Sequence, residues 1–300
     1  MLVLFKVYAW LTFCVAVWGS NFIFGKILVQ DFSSAMLTML RLLFIVICLL
    51  IYSYFKKSFK RVNRNEFLMI IILGIVGVFI NQWSFFEGLQ TADPTTSALI
   101  LATTPILTGF LAAVFLKEKL TIRMCIGSIV AILGIYFVVT KGGSTSLQFD
   151  KGLLWIIVTM ATFSIMIIMT RTLSLKLDSL TVTLYSNVTG FIISIPFVFL
   201  LDKPIRVSSE FPTWLFLIAT AIVVHGIATL AWNRNIRYVD ASKASMLSNL
   251  EPFIAMLMGV ALLSKAITGV EILGAIFIVG GVVLSTFQRK KLSNSAISNK

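Results

Sequence analysis

Arg41 and Glu251 each interrupt an apolar stretch otherwise free of charge, at about 34–55 and 243–264. An unpaired charge at the centre of a bilayer costs on the order of 3 kcal/mol, so it normally faces a cavity, a pathway or a partner. Arg41 reads either as a substrate or gating residue or as half of a structural ion pair. For the structural reading the expected partner is Glu87, which ends a neighbouring apolar stretch on the same side, or helix-end carbonyls. Glu251 and the single histidine, His225, count to a shared depth on consecutive stretches. A carboxylate and an imidazole so placed are candidates for passing a proton. The plainer reading of His225 is a neutral core histidine bonded to a carbonyl.

Trp18, Asn21, Asn81, Trp83, Asn187 and Asn249 also fall inside apolar stretches, where lipid contact would waste their polar groups. They are substrate-cavity candidates together with Arg41, Glu87, His225 and Glu251. For any one Asn the alternative is a bridge between helices, worth about 0.6 kcal/mol. Pro105 and Pro252 are hinge candidates, because a proline inside a helix removes a hydrogen bond and frees a carbonyl. A static kink is the competing reading.

The elements that position these residues are set by composition. Of 300 residues, 58% are hydrophobic and 12% charged, with a mean hydropathy of +0.99. A water-soluble domain carries about 25% charged residues, so half the expected polar coat is missing. The chain reads as an all-α integral membrane protein. Roughly 20 residues of helix cross the hydrocarbon. Eight charge-free windows have about that length: 7–25, 67–86, 94–116, 124–140, 152–170, 179–201, 211–233 and 272–288. With the two stretches broken by Arg41 and Glu251, ten transmembrane helices are expected. The N-terminal run lacks an early basic cluster and a clear cleavage site, so it reads as a retained first helix.

A net charge of +13 would suggest nucleic-acid binding in a soluble protein; here it reads as the positive-inside bias instead. With ten spans, eighteen of the 25 Lys and Arg fall on the side of the N-terminus and six on the other. The expectation is a multi-pass protein of the cell membrane with both termini cytoplasmic. Three cysteines, Cys14, Cys48 and Cys125, lie in apolar runs and indicate neither disulfides nor zinc.

The sequence repeats. Asp93, Pro105, Thr121, Gly127 and Gly134 are matched 147 residues later by Asp240, Pro252, Thr268, Gly274 and Gly281. The halves, 1–145 and 146–300, hold five spans each. Five is odd, so the second copy must run through the membrane in the opposite sense. Inverted repeats of this kind recur in secondary transporters. Gly127 and Gly134, like Gly274 and Gly281, lie two turns apart on one helix face and suit close helix packing.

Asp93-Pro94-Thr95-Thr96-Ser97-Ala98, Thr104-Pro105-Ile106-Leu107 and Phe115-Leu116-Lys117-Glu118-Lys119-Leu120-Thr121 together resemble the drug/metabolite transporter superfamily, EamA type. Trp18-Gly19-Ser20-Asn21-Phe22, Arg41 and Leu250-Glu251-Pro252-Phe253 fit the same family. The resemblance implies a five-plus-five inverted repeat around a central cavity. It also implies small-metabolite substrates, often amino acids or aromatic compounds, that many members export. One position departs from the pattern: the second-half equivalent of Glu118 is Lys265, where the family usually has Glu. A symmetric pair of loop carboxylates is therefore not carried over.

No Walker A loop, HExxH motif or potassium-filter TVGYG occurs, and one histidine cannot build a histidine-rich metal site. No catalytic residue, metal or cofactor is expected. The function expected is secondary transport of small organic metabolites, with export as the direction and protons as the candidate coupling ion. A membrane-embedded enzyme acting on lipid-linked substrates, or a channel, is the alternative. The partners expected are a small-molecule substrate and the lipid bilayer, with no nucleic acid.

Overall fold

The computed structural model describes residues 2–56, 62–115, 122–140, 150–174, 176–201, 204–235 and 250–286. Among these residues there are helices and no strands. In chain order they are α1 (Leu2–Asp31), α2 (Ser34–Lys56), α3 (Arg64–Ile72), α4 (Asn81–Thr91), α5 (Pro94–Leu101), α6 (Thr104–Phe115) and α7 (Ile122–Thr140). Then follow α8 (Lys151–Ser174), α9 (Ser179–Leu200), α10 (Phe211–Thr220), α11 (Ala228–Asn235), α12 (Glu251–Leu263) and α13 (Gly269–Thr286). A π turn, Leu73–Ile80, joins α3 to α4, and a second, Ala221–Ile227, joins α10 to α11.

Seven helical stretches among the described residues are long and apolar enough to cross a membrane, and three apolar helices are shorter. Their side chains show why lipid is the solvent. Phe55, Leu200, Phe5 and Val114 are each more than 70% exposed. Such a surface has no place in water. Helix starts are marked by residues that satisfy orphan amides. Asn63 and Glu66 form a reciprocal capping box on α3. Asp93 caps α5 by accepting from the Thr96 amide at 2.9 Å, with Pro94 beginning the helix.

The two proline hinge candidates each stand next to a helix start. Pro105 lies in the first turn of α6, after a break at Ala102–Thr103, and Pro252 lies in the first turn of α12. A proline there gives up an amide that would be unpaired anyway, and Pro105 follows a break inside the span Pro94–Phe115. The carbonyls at the first break are occupied: Thr103 Oγ1 donates to Ile100 O and Thr104 Oγ1 to Leu101 O. The proline inside a helix is Pro196 of α9.

Packing follows a pattern. The most extensive pair is α7 with α13. There a Cβ on Gly281 would stand 2.5 Å from Gly127 O, so the backbones meet where both helices carry glycine. Helix α2 packs on α9, α4 on α8 and α1 on α11. Helix α6 also packs on α8, and α12 on α1. The first π turn packs on α9 and the second on α2. The π turns end at Ile80 and Ile227, 147 residues apart, in the register of the sequence repeat.

Candidate functional site

Arg41 is fully buried in α2, at 0% exposure. Its guanidinium donates from Nη2 to Asn21 Oδ1 of α1 at 3.2 Å and from Nη1 to Thr220 Oγ1 at the end of α10 at 3.4 Å. Nη2 also lies 3.1 Å from His225 Nδ1 in the second π turn. Arginine can only donate, so Nδ1 is the acceptor and the imidazole carries its proton on Nε2. The Phe86 ring of α4 covers the cation, with its centroid 5.2 Å from Cζ. Arg41 Nε has no acceptor among the described residues.

This arrangement corrects two expectations. The groups hydrogen-bonded to Arg41 are Asn21, Thr220 and His225, not Glu87. His225 faces Arg41, so its partner is the guanidinium rather than Glu251. The π turn is the physical reason. It widens one turn of the helix and shifts the register, so a depth counted at regular helical rise misplaces every side chain beyond it. Glu251 is half-buried in the first turn of α12, at a helix start rather than deep within a helix.

One turn of α1 gathers these pieces. Trp18 Nε1 donates to Val224 O of the second π turn at 3.1 Å, and its ring packs on Trp232 of α11. Gly19 admits the backbone of α12, for a Cβ there would stand 2.7 Å from Glu251 O. Asn21 receives Arg41. Trp18, Asn21, Arg41, His225 and Glu251 are therefore brought to one region, through contacts that α1 makes with its neighbours.

The remaining candidates divide. Asn81 bridges helices, donating from Nδ2 to Thr159 O at 2.9 Å and Thr162 Oγ1 at 3.0 Å of α8. Asn187 turns back on its own helix and donates to Thr183 O at 2.8 Å. Trp83 packs against Trp155 and Phe197, each ring centroid 4.8 Å away. Trp83 and Glu87 also line a cavity of about 460 Å³ with Ser34, Gln90, Leu201 and Arg206. Asn249, with the repeat's Asp240 and the Lys117–Thr121 motif, lies outside the described residues.

A second charged cluster was not anticipated. Lys265, between α12 and α13, donates to Asp93 Oδ1 and to Glu271 Oε1, both at 2.8 Å. Glu271 is 2% exposed and also accepts from the Thr268 amide and hydroxyl. Burial alone would lower the Lys265 ammonium; the hydrogen bonds and charges of Asp93 and Glu271 outweigh it and hold the group above its ordinary 10.5. The signal available in the sequence was the Thr268-x-x-Glu271 capping-box spacing. Nearby, Lys26 Nζ donates to the carbonyls of Leu89, Gln90 and Ala92 at the end of α4 and just beyond it.

Comparison with known proteins agrees with these features. The chain is 27% identical to an uncharacterized transporter, YyaM, of Bacillus subtilis, over 89% of each chain. It is 23% identical to a second from that organism, YetK, over 95% of this chain and 88% of the relative. An uncharacterized inner membrane transporter of Salmonella typhimurium, YicL, is 23% identical over 93% of this chain and 94% of its own. A solved crystal structure shares the fold with a TM-score of 0.66, covering 94% of this chain and 96% of that one at 17% identity. The EamA-like transporter family matches twice, over residues 5–140 and 150–287, and the chain belongs to that family.

Proposed function

We propose that the chain is a secondary transporter of ten membrane-spanning helices, in two five-helix repeats over 1–145 and 146–300 that run in opposite senses. Both termini are cytoplasmic, and the Asp93–Lys265 end of the bundle faces outward. The transporter exports small organic metabolites, amino-acid-like or aromatic, across the cell membrane and draws on protons for the energy.

The observation that carries the reading is the self-matching packing. Exchanging each helix for its partner in the other half turns α4 on α8 into α11 on α1. It likewise turns α6 on α8 into α12 on α1, and the first π turn on α9 into the second on α2. The pairs α2–α9 and α7–α13 map onto themselves. A bundle in which these pairs match under exchange can open in two related ways, one to each side, and this is what alternating access uses. Glu251 is the candidate proton carrier. It adjoins the turn of α1 that carries Trp18 and Asn21, and a group that loses its proton to one side and regains it from the other links transport to a gradient.

The test is flux in proteoliposomes, with a panel of labelled amino acids and aromatic metabolites and an imposed pH gradient. Wild-type protein accumulates a panel member against its gradient. Glu251→Gln keeps the shape of the side chain and removes the charge cycle, so it exchanges substrate without accumulating it. An unchanged response of Glu251→Gln to the pH gradient rules this residue out as the coupling site.

A further inference from the structure

We propose that Arg41 holds the carboxylate of the transported metabolite, so that the substrates are organic carboxylates rather than amines or uncharged compounds. This rests on the transporter reading and names the substrate class of its site.

The argument begins with charge. Arg41 is at 0% exposure, and its hydrogen-bond partners, Asn21, Thr220 and His225, are all neutral. The effective penalty for removing an ion from water is several kcal/mol, which a geometrically good opposite charge can offset. No described carboxylate pairs with Arg41, whereas Lys265 in the same chain has two. The Phe86 face contributes about 0.5 to 2 kcal/mol. It cannot neutralise the charge.

Hydrogen-bond geometry adds a second, independent observation. A guanidinium offers five N–H groups in a planar fork, and carboxylates engage it bidentately. The Nε–H of Arg41 is buried without an acceptor among the described residues. A buried donor left unmet costs about 1 to 3 kcal/mol. A residue serving only to tie α1, α2 and α10 together has no use for the charge or for that donor. A bound carboxylate uses both.

Architecture supplies the third observation. Arg41 contacts the second π turn directly through His225, and π turns inside helices are frequent at functional sites. On α2 the face bearing Ser34, a wall of the 460 Å³ cavity, leads in two turns to Arg41. At 1.5 Å per residue that is about 10 Å. Phe86, which covers Arg41, neighbours the cavity-lining Glu87 on α4. A shift of α4 against α2 would join cavity and guanidinium.

The experiment uses the full chain in nanodiscs and three probes that share a ring and differ in charge: phenylacetate, phenylacetamide and phenethylamine, with chloride as a control. Arginine Nε–H resonances are followed by NMR, and Arg41 is assigned by the signal lost in Arg41→Lys. Thermal melting of the wild type with the same probes needs no variant. Phenylacetate should shift the Arg41 resonance at concentrations at least tenfold lower than the amide or the amine, and should raise the melting temperature more than either. No shift and no stabilisation by phenylacetate overturns the proposal, as does a response to chloride or amine equal to it. Proteoliposome flux separates the two readings. A shift without flux leaves the anion site standing and removes transport. Flux of any panel member with an unmoved Arg41 resonance leaves transport standing and removes the anion site.

Discussion

Arg41 and Lys265 are both cations held by several side chains, and they are built on opposite plans. Lys265 stands at the end of the bundle, partly open to water, between two carboxylates at 2.8 Å. Arg41 is enclosed among neutral side chains and an aromatic face, with one donor unmet among the described residues. Position alone would suggest the reverse, because the deeper cation needs compensation more. The difference separates a clamp from a site. Lys265 joins the start of α5, through Asp93, to the start of α13, through Glu271, and its charge is already matched within the chain. No carboxylate among the described residues matches the charge of Arg41.

The largest expected effect follows from that contrast. Arg41→Met should reduce flux in proteoliposomes to background while leaving the unfolding free energy within about 1 kcal/mol of wild type, since the relief of a buried charge offsets the lost hydrogen bonds. Lys265→Met should do the opposite. It leaves Asp93 and the 2% exposed Glu271 without their cation. A loss of about 2 kcal/mol is expected, between the cost of breaking an exposed pair and a buried one. Adding Glu271→Gln should return part of it. A large drop in stability for Arg41→Met with none for Lys265→Met would invert the comparison and make Arg41 the structural cation.

Much of this was legible in the sequence, for physical reasons that also mark where legibility ends. Charge-free runs of span length located the helices, because burying charge in lipid is too costly to be common. Glycines two turns apart marked faces suited to close packing, though not that the α7 and α13 faces meet each other. The Arg41–His225 pair was not legible. It depends on the second π turn, whose sequence Ala221–Ile227 carries no distinguishing residue, and on α2 lying beside that turn. The helix start at Leu250–Glu251, with Pro252 in its first turn, was not anticipated inside the 243–264 stretch. Lys265 was noticed as a departure from the family pattern, but its partner Asp93 is 172 residues away. No local rule joins them.

A pH experiment sharpens the same contrast with a smaller effect. The folded-state pKa of Lys265 is raised above the ordinary 10.5 by Asp93 and Glu271. The stability this adds is fully present below the unfolded value and is lost as pH rises through the folded one. Melting curves taken from neutral pH upward should therefore fall above about pH 10 in the wild type, and Lys265→Met should flatten part of that slope. An identical alkaline slope in wild type and Lys265→Met would remove the linkage to Lys265.

The smallest effect tests whether the clamp is assembled by its helix start. The Thr268 amide donates to Glu271 Oε2 at 2.9 Å, and the Glu271 amide donates back to Thr268 Oγ1 at 3.2 Å. This reciprocal pair satisfies two amides at the start of α13 and holds the Glu271 carboxylate toward Lys265. Thr268→Ala deletes the hydroxyl and should cost about 1 kcal/mol, the usual worth of an N-cap. If the cap also aims Glu271, the loss should couple to Lys265. In a double-mutant cycle, Thr268→Ala made on Lys265→Met should then cost less than on the wild type, by 0.5 kcal/mol or more. Strict additivity would mean that cap and clamp share a carboxylate without depending on one another.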